Sequence, residues 1–347
     1  MRIFKPLLII LLVVFGCAKP DAEVSRREVK NVAVVTAVGD VLLSYWTIDS
    51  IYKKLEQNNK DNKDIIYEYP FKNVKNELRG IVFCNLEGPL TLKPTEKFED
   101  KNEKYYFSMH PKYVKALSYA GFDVISLANN HIKDCGNKGL QDSIKILKKV
   151  GIEPVGVGEN NIEARKPVLK TENKIKVAFL AYDLVLPKSV WAGEKSFGAA
   201  NADTDNICND VKITKSTNDA VVVSLHWGKE RFYDEDVINP DKERIEMAHN
   251  IIDAGASVIL GHHSHTVEKI EKCKNGVIFY SLGNFVFAGT SRGGHSISII
   301  ARIILSRQGV ESFKIIPVNI DPKKVKYSPI VLEGKEKDKF IGKLTMN

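Results

Sequence analysis

Three histidines directly follow a short apolar stretch in the segment 258–265, which reads Val-Ile-Leu-Gly-His-His-Ser-His. A short, largely β-branched apolar run ended by glycine predicts a buried strand. The histidines would then lie at the carboxyl end of that strand, where α/β sheets collect their ligands. His263 and His265 would share a face on a strand, or could both turn toward one ion from the loop after it. Neutral imidazole is the commonest metal ligand, so this segment predicts a metal site.

Similar side chains follow other apolar stretches of the chain. The residues that directly follow a predicted strand are Asp40, Asn85 with Glu87, Asn130 with His131, His226, and His263 with His265. Strand ends of one sheet lie on one rim, so we expect these side chains to converge. Their mixture of carboxylate, amide and imidazole groups suits borderline divalent ions such as Mn, Fe, Co or Zn.

The number of these ligands exceeds what one tetrahedral ion needs. About six ligands would fit two ions about 3.5–4 Å apart, which would activate a bridging water and bind phosphate oxygens. A nearby histidine that binds no metal could protonate the leaving oxygen. The pattern therefore indicates phosphoester chemistry.

The order of apolar and amphipathic segments predicts an α/β fold. Residues 184–218 have weak periodicity and are expected to be irregular, and the lysine-rich residues 321–347 are expected to form a basic, peripheral C-terminal tail. The core domain is expected to span residues 31–320. Strands are predicted at 32–38, 81–84, 123–127, near 155, and at 175–180, 220–225, 258–261, 276–280, 296–306 and 313–318. Helices are predicted at 111–120, 139–150 and 241–253, and residues 48–55 form an amphipathic stretch.

Composition excludes several classes of protein. With 44% hydrophobic residues in 347, the chain can bury a large core and is not globally disordered. The formal charge is +8, but the lysines are scattered and no aromatic residues interleave them, which disfavours nucleic acid as a partner. Five cysteines without CxxC spacing do not indicate a disulfide scaffold, although one pair could form in an oxidising compartment.

The N-terminus is typical of an exported protein. Arg2 and Lys5 precede the apolar run 7–15, which is too short to span a bilayer comfortably, and Gly16 and Cys17 follow it. The segment resembles a bacterial lipobox. Residues 1–17 would then comprise the signal peptide with its lipidated cysteine, Cys17, and residues 18–30 would form a tether. An ordinary signal peptide or an uncleaved anchor is the alternative. The lipobox predicts an extracytoplasmic, membrane-anchored lipoprotein of the bacterial cell envelope, and in either case the mature protein is expected to work outside the cytoplasm.

Six ordered motifs resemble those of the CapA family of poly-γ-glutamate capsule-synthesis proteins, also called PGA_cap. The resemblance covers about residues 32–290. The motifs are Gly39-Asp40, Asn85-Leu86-Glu87-Gly88-Pro89, Asn129-Asn130-His131 with Asp134 and Gly136, His226-Trp227-Gly228, Gly261-His262-His263-Ser264-His265, and Ser281-Leu282-Gly283-Asn284-Phe285. The family is similar to the calcineurin-like metallophosphoesterases, which implies a four-layer α/β/β/α sandwich with divalent metals at the strand ends.

The resemblance also implies a role for each site residue. His131 would be the acid that assists the leaving group without binding metal. The implied metal ligands are Asp40 and Glu87 as the first and the bridging carboxylate, Asn130 as the amide, His226 and His263 on the second metal, and His265 on the first.

The chain departs from the superfamily at one ligand. Many metallophosphoesterases have Asp-x-His where this chain has Asp40-Val41-Leu42, so the first metal lacks an imidazole unless His262 or Glu268 supplies the ligand. Asn85 and Asn284 are further candidates near the site, Asn284 more as a turn residue than as a ligand. A site with a single metal, or a site without catalysis, is the alternative to a two-metal hydrolase.

Ordinary structural roles compete with the functional ones. Asp40 could cap the helix that follows it, and Glu87 could be a solvated turn residue. His131 could order its own loop through Asn129 and Asp134.

Two functions follow from the resemblance. The first is an envelope lipoprotein that uses a divalent-metal site on a phosphoester or an acidic polymer during capsule synthesis or export. The second is a component that binds or exports an anionic polymer for a separate membrane ligase complex and has no catalytic activity.

Overall fold

The structure is a computed structural model that describes residues 31–43, 46–96, 105–230, 237–287 and 296–345. The expected signal peptide with Cys17 and the tether of residues 18–30 lie outside the described residues. The strands are β1 (Ala33–Leu42), β2 (Ile81–Leu86), β3 (Val124–Ser126), β4 (Glu153–Val155), β5 (Val157–Gly158), β6 (Val168–Glu172), β7 (Ile175–Asp183), β8 (Gly198–Ala199), β9 (Ala220–His226), β10 (Val258–His262), β11 (Ile270–Cys273), β12 (Gly276–Phe279), β13 (Asn284–Phe287), β14 (Ile297–Ser306), β15 (Gly309–Asn319) and β16 (Ile330–Val331).

Helices connect most of the parallel strands. They are α1 (Trp46–Asn58), α2 (Ile65–Glu68), α3 (Val114–Ala120), α4 (Gly136–Lys149), α5 (Asn161–Ala164), α6 (Thr204–Lys215), α7 (Lys242–Asp253), α8 (Pro322–Val325) and α9 (Gly334–Ile341), with short 3₁₀ helices at Lys75–Glu77, Pro111–Tyr113 and Lys188–Val190. Among the described residues, no helix combines the length and the apolar composition that crossing a bilayer needs.

Two mixed sheets form the body of the fold. The first has the order β16-β15-β14-β1-β2-β3-β4, with β13 also paired to β1, and the second has the order β11-β12-β10-β9-β7-β6. Strands β1 to β4 are parallel neighbours, as are β7, β9 and β10. Because parallel crossovers are right-handed, the helices that connect each group lie on one face of its sheet.

The alternation of side chains in β7 shows how the layers pack. Phe179 faces the first sheet and its ring stacks on Phe83 of β2, with centroids 5.8 Å apart. Leu180 points the other way and shares a second core with Ile207 of α6 and Ile251 of α7. The two sheets therefore pack face to face with helices outside, which confirms the four-layer α/β/β/α sandwich.

Two expectations about the chain's irregular parts were wrong. Within residues 184–218 the structure has helix α6, where Asp203 caps the first turn and Ile207 and Val211 lie buried at helical spacing. The C-terminal segment is not wholly peripheral, because β16 pairs with β15 and the side chains of Phe340 and Leu344 are buried. In both segments, a few apolar residues at suitable spacing pack into the core although the segment as a whole is polar.

Candidate metal centre

Strand register brings the candidate residues together in pairs. In the first sheet, Asp40 of β1 is the cross-strand partner of Asn85 of β2. In the second sheet, His262 at the end of β10 is the partner of His226 at the end of β9. Asp40 lies inside β1, which ends at Leu42, so it does not cap α1 as one alternative expected.

A close backbone approach holds β1 against the segment that leads into β13. A Cβ atom on Gly39 would lie 1.8 Å from the carbonyl oxygen of Gly283, so no other residue fits there without movement. The backbone N–H of Asp40 donates to that same carbonyl at 2.9 Å. This contact sets Asp40 beside Asn284, its partner in the β1–β13 pairing.

The turn after β10 has an unusual backbone. His263 and His265 both adopt positive φ angles, 85° and 61°, which residues with a side chain rarely do. Such strained residues concentrate at functional sites. The ring of His263 lies 4.8 Å from that of His226 and 6.1 Å from that of His265, measured between centroids. The conformation turns the imidazoles of the loop toward the strand end.

Four buried side chains form what we call the Glu87 half of the site: Glu87, Asn130, His226 and His263. Glu87, His226 and His263 each offer a ligand atom within 4.8 Å of the others. His226 Nε2 lies 3.0 Å from Asn130 Oδ1 and 3.4 Å from Glu87 Oε1. Glu87 Oε1 and His263 Nδ1 are buried and make no hydrogen bond among the described residues. Orphaned ligand atoms that converge in this way fit a divalent cation.

The protonation of these groups also suits a cation. Burial lowers the pKa of His226 and of His263 well below the usual value for histidine, so both rings are neutral and able to ligate. Burial, reinforced by the charge of Asp40, raises the pKa of Glu87 to about 7. Burial makes the ionised form of Glu87 unfavourable, and a bound cation would stabilise that ionised form.

The Asp40 half of the site comprises Asp40, Asn85, His262 and His265. Asp40 Oδ1 accepts from the amide of Asn85 at 2.9 Å and lies 3.0 Å from His262 Nδ1. Asp40 Oδ2 accepts from the backbone N–H of His263 at 3.2 Å and lies 3.5 Å from His265 Nδ1. Both oxygens of this carboxylate therefore have partners within the chain.

The charges in the Asp40 half are paired. Burial alone would raise the pKa of Asp40, but hydrogen bonds to His262 and His265 and the charges of nearby histidines hold it well below its usual value. Burial alone would lower the pKa of His265, but Asp40 raises it to about 9. His265 is therefore a cation that neutralises Asp40, and its Nδ1 also lies 2.9 Å from Asn284 Oδ1.

Two asparagines connect the site residues, and one of them was not among the predicted site residues. Asn85 donates from the same amide nitrogen to Glu87 Oε2 at 2.6 Å and to Asp40. Asn129 donates to Asn85 Oδ1 at 3.0 Å, and its own oxygen accepts from the backbone N–H of His131 at 3.1 Å. The sequence signal for Asn129 was its position directly before Asn130 and His131. Its hydrogen bond to Asn85 depends on side-chain geometry, which the sequence does not give.

His131 lies beside the Glu87 half and is oriented by an aspartate. Its Nδ1 lies 2.7 Å from Asp134 Oδ2, which also accepts from the backbone N–H of Phe107. A positive charge on His131 would lower the pKa of both Glu87 and His226. With Nδ1 directed to Asp134, Nε2 is the nitrogen that could transfer a proton.

The two residues proposed to complete the first metal site have other partners. Glu268 Oε2 accepts from Arg244 at 2.8 Å, in a buried ion pair. His262 contacts Asp40 through Nδ1, and its Nε2 makes no hydrogen bond among the described residues. Leu42 is fully buried in the apolar core.

Comparison with known proteins identifies the family to which the chain belongs. Residues 34–289 match the family described as bacterial capsule synthesis protein PGA_cap. The chain is 31% identical to the capsule biosynthesis protein CapA of Bacillus anthracis over 304 residues, which is 86% of this chain and 70% of that one. It is 30% identical to the PGA biosynthesis protein CapA of Bacillus subtilis over 320 residues, covering 91% and 79% of the two chains. The chain belongs to this family of capsule synthesis proteins, as its motifs predicted.

Solved structures with similar folds include the NAD nucleotidase of Haemophilus influenzae, at 12% identity and a TM-score of 0.46, covering 91% of this chain and 57% of that one. The 5'-nucleotidase precursor of Thermus thermophilus has 10% identity and a TM-score of 0.46, with 87% and 54% covered. At TM-scores below 0.5, these likenesses add nothing to what the chain's own packing shows about its fold.

Proposed function

We propose that this protein acts at the bacterial cell envelope in the synthesis or export of a poly-γ-glutamate-type capsule, and that it does so with a divalent ion at the Glu87 half. The observation that supports the proposal most is the buried convergence of Glu87, His226 and His263, with orphaned atoms on Glu87 and His263. The names of the two CapA relatives supply the biological setting.

The geometry favours one ion over two. Among the described His, Cys, Asp and Glu residues, Asp40 and His265 belong to no group of three whose ligand atoms lie within 4.8 Å. The donors that already surround Asp40 would have to move before a second ion could bind there. We therefore assign the ion to Glu87, Asn130, His226 and His263.

Hydrolysis of a phosphoester is the reaction that these residues could support. A bound divalent ion would supply Lewis acidity and a water with a lowered pKa. His131 would donate a proton to the leaving oxygen, and Asp134 would hold its ring in the required orientation. The burial of the site, where His226 is 1% exposed, would exclude bulk water and strengthen these electrostatic effects.

Metal analysis is the direct test of this proposal. The full chain in detergent, dialysed against Mn²⁺ and freed of unbound ion, should retain about one equivalent of metal. It should also hydrolyse a generic phosphodiester, and a chelator should remove both the metal and the activity. A folded protein that retains no metal would end the proposal for this site.

A binding role without catalysis is the second candidate, and the paired Asp40 half favours it. A protein that retains one ion but cleaves no phosphoester would support this candidate over the hydrolase. Its role would then be to hold an anionic polymer for a membrane ligase complex. The protein should then co-purify with such a ligase, and this association should be lost when the membrane is solubilised at high salt.

Membrane attachment through Cys17 is a separate part of the proposal. The Cys17→Ser variant should appear in the soluble fraction of cells, whereas Cys208→Ser, at a half-buried position of α6, should stay with the membranes. Unchanged retention of the Cys17 variant would indicate an uncleaved anchor.

A further inference from the structure

A second group of ligand side chains lies on the outer face of the second sheet. Glu271 and Cys273 are two residues apart on the edge strand β11, so they share a face. Ile270 is buried in the core on the opposite side. His249 of α7 reaches the same face, and His249, Glu271 and Cys273 each offer a ligand atom within 4.8 Å of the others. All three residues are half-buried, so a small solute can reach them.

The carboxylate of Glu271 is held in a fixed orientation. Its Oε2 accepts from the hydroxyl of Tyr280 at 2.7 Å, while its Oε1 lies 2.8 Å from His249 Nε2. Tyr280 is fully buried, and its ring stacks on Trp227 at 6.1 Å. In protein metal sites, a ligating carboxylate is commonly oriented by such an outer hydrogen bond to its other oxygen.

We propose that His249, Glu271 and Cys273 form a binding site for a zinc-type divalent cation, separate from the centre at the strand ends. Thiolate, imidazole and carboxylate together are zinc ligands, at about 2.3, 2.0–2.1 and 2.0–2.2 Å from the ion respectively. Magnesium and calcium prefer oxygen ligands alone and are disfavoured here. Water would complete the coordination, since the site faces solvent. The inference does not depend on the proposed capsule function.

Charged side chains of both signs surround the group. Lys274 is paired with Asp253 of α7. A divalent ion that bound at the group would require Cys273 to ligate as a thiolate, so binding would release a proton.

The simpler alternative is an ion pair between His249 and Glu271, with Cys273 as a neighbour that takes no part. The two readings differ in what zinc does to the thiol. A zinc ligand is shielded from alkylation, whereas a cysteine beside an ion pair keeps its reactivity. Cys208 is an internal control because it is also half-buried, in α6, and belongs to no group of three ligand atoms within 4.8 Å among the described residues.

The test is alkylation of the full chain in detergent by iodoacetamide, with and without zinc chloride in slight excess over protein. The rate at each cysteine is followed by peptide mass spectrometry. Zinc should slow the alkylation of Cys273 at least tenfold and leave that of Cys208 unchanged. His249→Gln and Glu271→Gln should abolish the protection. Tyr280→Phe should weaken it about tenfold, because the outer hydrogen bond is lost.

Three results would overturn the inference: an unchanged rate at Cys273, equal slowing of Cys273 and Cys208, or full protection in both the His249 and the Glu271 variant. Circular dichroism of each variant checks that the fold is kept. The His249 variant should fold, because the side chain of His249 is 40% exposed. The His263→Ala variant should keep the protection of Cys273, and loss of protection there would mean that the two sites are not separate.

Discussion

The two halves of the candidate centre are built from the same kinds of side chain but differ in what those side chains already contact. In the Asp40 half, both carboxylate oxygens of Asp40 have partners, and His265 supplies a positive charge. In the Glu87 half, Glu87 Oε1 and His263 Nδ1 are buried without hydrogen bonds among the described residues. Ligand type and position therefore do not suffice to make a metal site. The carboxylate of the group must also keep an oxygen that the rest of the chain leaves without a hydrogen bond.

The largest effect should come from removing one histidine from each half. In protein dialysed against Mn²⁺, His263→Ala should reduce the manganese bound at the Glu87 half from about one equivalent to none, because a buried three-residue ligand group loses a member. The thiolate-containing group at His249 favours zinc over manganese. His265→Ala should keep the metal, because Asp40 and His265 lie outside that group. Mass spectrometry of the metal content after gel filtration measures both. Equal loss in the two variants would show that the halves act together as a two-ion site.

The next effect concerns turnover, if the parent protein hydrolyses a phosphodiester. His131→Ala should lower kcat about 10²- to 10⁴-fold, the usual contribution of a general acid, and leave the metal content unchanged. Asp134→Asn should lower kcat less and change its pH profile, because Asp134 positions His131 and does not transfer the proton itself. A His131 variant with unchanged kcat would remove His131 from the chemistry.

The sequence predicted the placement of these residues better than their roles. Polar residues after apolar strands identified Asp40, Glu87 and His226 as neighbours, because the ends of parallel strands share one rim. The motifs also predicted the family and the four-layer fold. The pairing of Asp40 could not be predicted, because it depends on side-chain distances of about 3 Å between segments far apart in sequence. The positive φ angles of the histidine loop have no sequence signature either, since such angles favour glycine.

The third effect tests the link between the halves. Asn85→Ala removes the amide that donates to both Asp40 and Glu87. Metal affinity should fall about 10- to 100-fold, because the ligating carboxylate loses its orienting partner. The free energy of unfolding should fall by about 1–3 kcal/mol for each buried oxygen left unpaired.

Asn73→Ala is a control at an exposed asparagine. Its amide donates to Ser328, outside the two halves of the site, so this variant should change stability less than Asn85→Ala and should leave metal affinity unchanged. Calorimetric titration with Mn²⁺ and denaturant unfolding measure the two quantities separately. Equal metal affinity in the two variants would mean that Asn85 does not orient Glu87.

The smallest effect is expected at His262, the residue that could have replaced the imidazole missing at position 42. His262 Nδ1 contacts Asp40 Oδ1, and the orphaned Nε2 belongs to no group of three ligand atoms within 4.8 Å among the described His, Cys, Asp and Glu residues. His262→Gln keeps a donor that can reach Asp40, so the metal content should stay at about one equivalent and the free energy of unfolding should fall by about 1 kcal/mol. If His262 instead completes a second metal site, the same variant should lose one of two equivalents. The titration therefore distinguishes a histidine that stabilises Asp40 from one that binds an ion, although both roles place its ring in the same position.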